Sequence, residues 1–168
     1  MAADVTEVLA SFSAYAEPRD GLGDNPFKLG CSLSAPATDE EVRSAWPAGP
    51  QGELAEAWSV SRESRLFEDV DYGQWGLVLL SPAASAERTA EQRALRPDDY
   101  RDEDVVVGEF LGDPELLVLA PSEAGDRQVL VALPLDGRQD WYPGAPDLAR
   151  FLEKYRDQQG AKFWESAG

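Results

Sequence analysis

The sequence predicts an α+β fold: a central, mainly antiparallel sheet with helices packed on it. Three observations carry that expectation. Between Glu103 and Trp141, apolar stretches are separated by turn residues at spacings too short for a helical crossover, so neighbouring strands pair antiparallel as a meander. Those stretches, Val105-Val-Val107 with Phe110-Leu111, then Leu116 to Leu119, then Val129 to Leu133, are apolar on both faces, as central strands covered twice must be. Outside this block apolar residues recur at helical period, at Val5, Val8, Leu9 and Phe12 and again at Leu148, Phe151, Leu152 and Tyr155.

The elements follow in order. A first helix is expected over 4–16, within an N-terminal helical segment 1–17, with Asp4 as N-cap and Glu7 three residues on. Pro18 and Gly21-Leu-Gly23 end it, and 18–36 reads as a long surface connection with a short extended piece from Phe27 to Leu33. Thr38-Asp-Glu-Glu41 has the form of a capping box and opens a second helix, stopped by Pro47-Ala-Gly-Pro50. Leu54, Ala57 and Trp58 predict a third helix over about 51–60, followed by a loop from Ser61 to Asp71 with Leu66 and Phe67 tucked into the core. Tyr72 to Leu80 has strand composition. Ser81-Pro82 has the form of an N-cap with Pro at the first helical position, and 83–95, which lacks an apolar stripe, reads as a polar surface helix or a mobile excursion. Arg96 to Asp104 is a charged loop. Within the strand block, Gly112-Asp113-Pro114 and Ala124-Gly125-Asp126 are turn chemistry, while Gly108 and Ala132 mark places where a helix or loop comes close. Asp136-Gly137 is another turn, and Pro146 opens the last helix, which Gly160 stops. Phe163 and Trp164 are too apolar for a free tail and fold back. One domain over 1–168 is the expectation for a chain of 168 residues without repeats or low-complexity linkers.

Composition bounds the function. Thirty-two acidic and 15 basic residues leave a net charge of −17, which argues against direct binding of nucleic acid and against anionic membrane surfaces. It suits either a solvated acidic surface or a basic partner found by electrostatic steering. The single cysteine, Cys31, permits no internal disulfide, the opening MAADVTEVLASFS lacks the features of a signal peptide, and no apolar run has membrane-spanning length, so a cytoplasmic location is expected. The absence of histidine removes Ser–His and Cys–His nucleophile pairs and histidine-bearing zinc sites. No cofactor or metal is expected.

Two acidic–aromatic clusters stand out. Asp136, Asp140, Trp141 and Tyr142 form one, and Asp69, Asp71, Tyr72 and Trp75 form the other. Each suits a recognition surface of aromatic anchors with a charged rim, and equally suits turn chemistry around a core tryptophan. Glu109 and Asp113 could act as a general acid/base pair, but nothing nearby supports that role, and turn capping suits Asp113 better. Gly108 to Gly112 sits within a strand and lacks the lysine and helix N-terminus of a phosphate loop. Cys31 lies in a loop without a neighbouring base, and Asp99, Asp102, Glu103 and Asp104 lack the glycine-centred spacing of a calcium loop, so a solvated charge run is expected there.

Several stretches together resemble the SUKH superfamily, also called the Smi/Knr-like family, over roughly 36–165. They are Ala37-Thr-Asp-Glu-Glu41, the helix-to-strand region Glu53 to Leu80, VVGEFLGDPELLVL from Val106 to Leu119, VLVALPLDGRQDW from Val129 to Trp141, Phe151-Leu-Glu153, and the end Gly160 to Glu165. Ser61-Arg-Glu-Ser64 stands where many members carry an Asn-Gly pair, which puts any role of that pair in doubt. The resemblance implies an α+β domain without a shared catalytic residue set. It implies a protein-binding module, an immunity protein that neutralises a secreted polymorphic toxin by direct binding; an intracellular regulatory scaffold of the same fold is the alternative. The partner expected from resemblance and charge together is a basic toxin domain.

Overall fold

In the computed structural model, which describes residues 4–20, 22, 25–48, 52–121 and 127–165, helices pack on both faces of a central antiparallel sheet. The eight strands are β1 Arg19–Asp20, β2 Lys28–Leu33, β3 Ser64–Asp69, β4 Leu77–Leu79, β5 Val105–Phe110, β6 Leu116–Pro121, β7 Arg127–Ala132 and β8 Tyr142–Ala145. They lie side by side in chain order, each antiparallel to the next. The helices are α1 Val5–Ser11, α2 Asp39–Ala45, α3 Glu53–Val60, α4 Pro82–Leu95 and α5 Leu148–Asp157.

Strand side chains alternate between two cores. Val105, Val107, Leu117, Leu119, Val129 and Val131 face the larger one, built with α1, α3 and α5. Val106, Leu116, Val118, Ala120, Leu130 and Ala132 face a smaller one with Tyr100 and Trp141. This division is why the strand block is apolar on both faces.

The helix starts follow local side-chain chemistry. The Asp4 carboxylate accepts the Thr6 N–H at 2.8 Å, Thr38 Oγ1 accepts the Glu41 N–H at 3.1 Å, and Ser81 Oγ accepts the Ala84 N–H at 3.2 Å, with Pro82 opening α4. The first helix is α only to Ser11 and tightens to a 3₁₀ turn over Phe12–Tyr15. The α5 stripe of Leu148, Phe151, Leu152 and Tyr155 is buried, and Trp164 folds back to stack on Phe151 at 5.5 Å between ring centroids.

Several expectations are corrected. Residues 64–69 are not loop but β3, paired between β2 and β4; Leu66 and Phe67 are core residues, as the sequence suggests. Residues 72–80 are extended strand only at Leu77–Leu79, because the preceding turn is bound to Asp69. The last helix begins at Leu148, not Pro146. Asp147 is its N-cap, accepting the Arg150 N–H at 2.7 Å, and Glu53 of α3 takes the Leu148 and Ala149 N–H groups at 2.9 and 3.0 Å. The residues just before it form the unforeseen strand β8. Cys31 lies in β2, not in a loop. A Cβ on Gly108 would stand 2.9 Å from Leu77 Cδ1 and 3.1 Å from the Val78 carbonyl, so the close neighbour is β4, not a helix or loop. The turn expected at Ala124 to Asp126 lies outside the described residues, as do Gly21, Gly23 and the 49–50 end of the helix-stopping segment.

Residues 83–95 are helical, and they dock without an apolar stripe. β4 ends at Leu79, so the start of β5, paired with β6 on one side, has no strand at Val106 on the other. Two buried hydroxyls of α4 take that place: Ser85 Oγ donates to the Val106 carbonyl at 2.6 Å, and Thr89 Oγ1 accepts the Val106 N–H at 2.9 Å. No described helix is long and apolar enough to cross a membrane.

Candidate interaction surface

Antiparallel order puts alternate connections at the same end of the sheet. The β3–β4 connection (70–76), the β5–β6 turn (111–115) and the β7–β8 connection (133–141) therefore leave the sheet at the same end, and each contains acidic residues; Trp75 of the first packs with the larger core and Trp141 of the third lies in the smaller one. Both acidic–aromatic clusters read from the sequence fall at this end.

In the first connection Asp69 is buried and organises the loop. Its carboxylate accepts the N–H groups of Asp71, Tyr72 and Gln74, all at 3.1 Å. Trp75 is half-buried, and its indole N–H donates to the Gly160 carbonyl at 3.0 Å. That leaves Val70, Asp71 and Tyr72 outward, with Tyr72 75 % exposed.

The third connection is built around Trp141, which is only 5 % exposed. Its ring lies against Tyr100 at 5.0 Å, with the guanidinium carbons of Arg96 and Arg138 5.6 and 5.5 Å from its centroid. Its indole N–H donates to the Asp136 carbonyl at 3.2 Å, and Arg96 donates to the Leu133 carbonyl at 2.9 Å. Arg138 pairs with Asp104, whose side chain is fully buried, and Arg96 pairs with Asp99 at 2.9 Å. The stretch 99–104 is therefore a solvated charge run only at Asp102 and Glu103, which are exposed; Asp99 and Asp104 anchor this connection. Trp141 belongs to the core, and Tyr142 is half-buried in β8, while Asp136 and Asp140 remain exposed. Between them and Arg96's anchor, Leu135 is 95 % exposed.

The middle turn is locked to its neighbours. Gly112 has φ +82, and a Cβ there would come within 2.1 Å of the Gln74 carbonyl oxygen, so only glycine lets this turn meet the first connection. Lys162 Nζ pairs with Asp113, and with Glu115 at 3.1 Å, while lying 5.2 Å from the Trp75 ring centre. Burial works to lower the Lys162 pKa, but the hydrogen bonds and charges of Asp113 and Glu115 outweigh it and raise it.

Among the described residues, the exposed large apolar side chains are Val70, Tyr72, Leu95 and Leu135, and all but Leu95 sit at this end. Asp71 and Asp136, next to them in the chain, and Asp140 in the same connection as Leu135 have no cation within ion-pair distance among the described residues. The end thus combines apolar side chains in water with uncompensated negative charge. Val70 and Leu135 were not singled out from sequence; Leu135 carries a readable sign, an isolated apolar residue between Pro134 and Asp136 in a turn.

The remaining candidates resolve differently. Glu109 pairs with Arg88 at 3.1 Å and Asp113 with Lys162, so each carboxylate has its own cation. The buried Cys31 thiol accepts the Phe67 N–H at 3.2 Å; burial pushes its pKa up to about 12, against the lowering effect of that bond, and keeps it protonated at neutral pH. Among the described residues no group of three or more Cys, Asp or Glu side chains is placed to hold a metal ion. No protein-family model matches the chain, and no curated protein matches it significantly.

Proposed function

We propose that the chain is a non-catalytic protein-binding module of SUKH type: an immunity protein that acts in the cytoplasm and neutralises a secreted toxin by direct binding to a basic domain. The observation that carries the binding reading is that two connections leaving the sheet at the same end each expose apolar side chains, Val70 and Tyr72 on one and Leu135 on the other, beside carboxylates, Asp71 and Asp136, that have no ion-pair partner among the described residues. Exposed apolar side chains ringed by like charge suit a partner surface, where apolar anchors are desolvated and charges are met by opposite ones. The net charge of −17 adds long-range attraction for a basic domain. The antiparallel sheet with helices packed on it is compatible with the family resemblance, which supplies the toxin-neutralising part of the reading.

Co-expression with whatever toxin-like gene neighbours this one tests it. Rescue of growth, with a stable complex that weakens as salt rises, is the expected result. No rescue by any neighbouring toxin and no basic partner recovered at low salt would sink the reading. A basic partner bound without any toxin rescued would favour the regulatory scaffold.

A further inference from the structure

One buried hydroxyl stands without a partner. Tyr100 is 5 % exposed, yet its hydroxyl has no hydrogen-bond partner among the described residues. Buried polar groups are ordinarily paired, so an exception points to a ligand or a role. Burial raises the phenol pKa to about 12, against the lowering effect of Arg96 and Arg88 and with Asp104 and Asp99 adding to the rise. The hydroxyl therefore stays protonated at neutral pH and can donate. Tyr100 lines a cavity of about 190 Å³ between α4 and the sheet. Arg88 and Gln92 of α4 and Arg96 just past its end recur every four residues and form one wall. Leu116 and Ala132, paired across β6 and β7, form the floor, and a larger side chain at Ala132 would fill the space. The charges on the wall are already met: Arg88 pairs with Glu91 and Glu109, and Arg96 with Asp99.

We infer that this cavity binds a neutral carbonyl group on a short apolar stem, with the Tyr100 hydroxyl donating to the carbonyl oxygen. The unpartnered group is a donor, so the ligand supplies an acceptor. An added anion would meet three carboxylates beside two guanidiniums, so the acceptor carries no charge. Leu116, Ala132 and Pro134 give the stem an apolar lining. At ~30 Å³ for each water-sized group, the volume holds about six non-hydrogen atoms. Arg88 is 32 % exposed and its two partners more so, and rotation of its side chain opens the way to the hydroxyl.

Butyramide fits that volume and carries a neutral carbonyl, while butyrate and butylammonium match its size but are charged. Each is titrated into the full chain while NMR follows the indole N–H of Trp141, whose ring lies 5.0 Å from that of Tyr100. The expected result is saturable shifts with butyramide in the millimolar range, weaker binding of butyrate and none of butylammonium. Tyr100→Phe should weaken butyramide roughly fivefold to tenfold without lowering the melting temperature, because the hydroxyl it removes has no partner to lose. Ala132→Val, which takes up space on the floor and keeps the hydroxyl, should weaken butyramide too. Glu87→Gln, at an exposed position of α4, should change nothing. N-acetyl-glutamine N-methylamide identifies the source: binding as tight as that of butyramide means a polypeptide side chain, and butyramide bound alone means a free small molecule. No saturable shift with either amide, butyrate bound as tightly as butyramide, or a Tyr100→Phe chain that melts earlier because the hydroxyl is paired through ordered water overturns the inference. The inference does not rest on toxin neutralisation, so the failure of either leaves the other standing.

Discussion

Arg138 closes on the buried carboxylate of Asp104, with Nη2 donating to Oδ1 at 3.1 Å and Nη1 to Oδ2. The Arg138 N–H also donates to Asp99 at 3.2 Å, and Asp104 accepts the Arg101 N–H at 2.8 Å. One ion pair thus ties the 96–104 segment to the β7–β8 connection. Removing one partner of a buried pair leaves an uncompensated charge, at a cost of about 3–5 kcal/mol. Arg138→Met should therefore lower stability in urea by about that much, and Arg138→Met/Asp104→Leu should recover a substantial part. A double variant no more stable than the single would show that the Arg138 side chain matters for packing and not for charge.

Trp141 provides a second test. Its burial beside Tyr100 makes Trp141→Ala a cavity mutation, with an expected loss of roughly 3–5 kcal/mol. A near-wild-type melting curve would contradict its place in the core and return it to the surface as an anchor.

The docking of α4 rests on hydroxyls. Thr89→Val keeps the shape but leaves the Val106 N–H without its acceptor, and Ser85→Ala leaves the Val106 carbonyl without its donor. Each should cost about 1–3 kcal/mol, and native-state hydrogen exchange at Val106 should speed up in Thr89→Val. Substitution at exposed Glu87 of the same helix should leave both measurements unchanged.

Asp69 should matter for shape more than for charge. Asp69→Ala removes the acceptor of three loop N–H groups, and bonds to a charged acceptor contribute about 1.5–3 kcal/mol each at most. Amide shifts of residues 70–75 should change most, and partner affinity should fall even though the carboxylate itself is buried.

Alkaline pH should lower the stability of the protein, first through Cys31 and then more steeply. The Cys31 thiol is raised from its ordinary 9.0 to about 12 by burial, so the folded state holds a proton that the unfolded state releases first. The associated stability is fully present below pH 9 and is lost as pH rises toward 12, at about 1.4 kcal/mol per pH unit. Tyr100, raised from 10.0 to about 12 by burial, and the fully buried Tyr155 add to the loss only above pH 10. Cys31→Ser, which keeps an acceptor for the Phe67 N–H, should flatten stability between pH 9 and 10 and leave the later decline in place. An unchanged slope in that interval would contradict it.

The readable parts of the fold were those whose causes are local. The caps at Asp4, Thr38 and Ser81 act over two or three residues, and the α5 stripe is a matter of period. The β5–β7 meander follows from turns too short for any other pairing. β3 was not readable, because Arg65 and Glu68 interrupt its apolar pattern and Phe67 sits at φ +52, breaking the alternation. Its partner strands, β2 and β4, close over it from both sides. At the candidate surface, Asp71, Tyr72, Asp136 and Asp140 were visible as exposed turn chemistry, while the burial of Asp69 and Trp141 depended on groups their neighbours do not reveal.

By itself the sequence determined the periodicities, the helix starts, the antiparallel sense of the strand block and the total charge of −17. Only the tertiary structure decided where that charge is felt. Asp104 meets Arg138 across 34 positions, and Lys162 meets Asp113 and Glu115 across 49 and 47, whereas Asp71, Asp136 and Asp140 meet no cation among the described residues. The reason is Coulombic. Compensation depends on separation through space and on the surrounding dielectric, and separation along the chain says nothing of either.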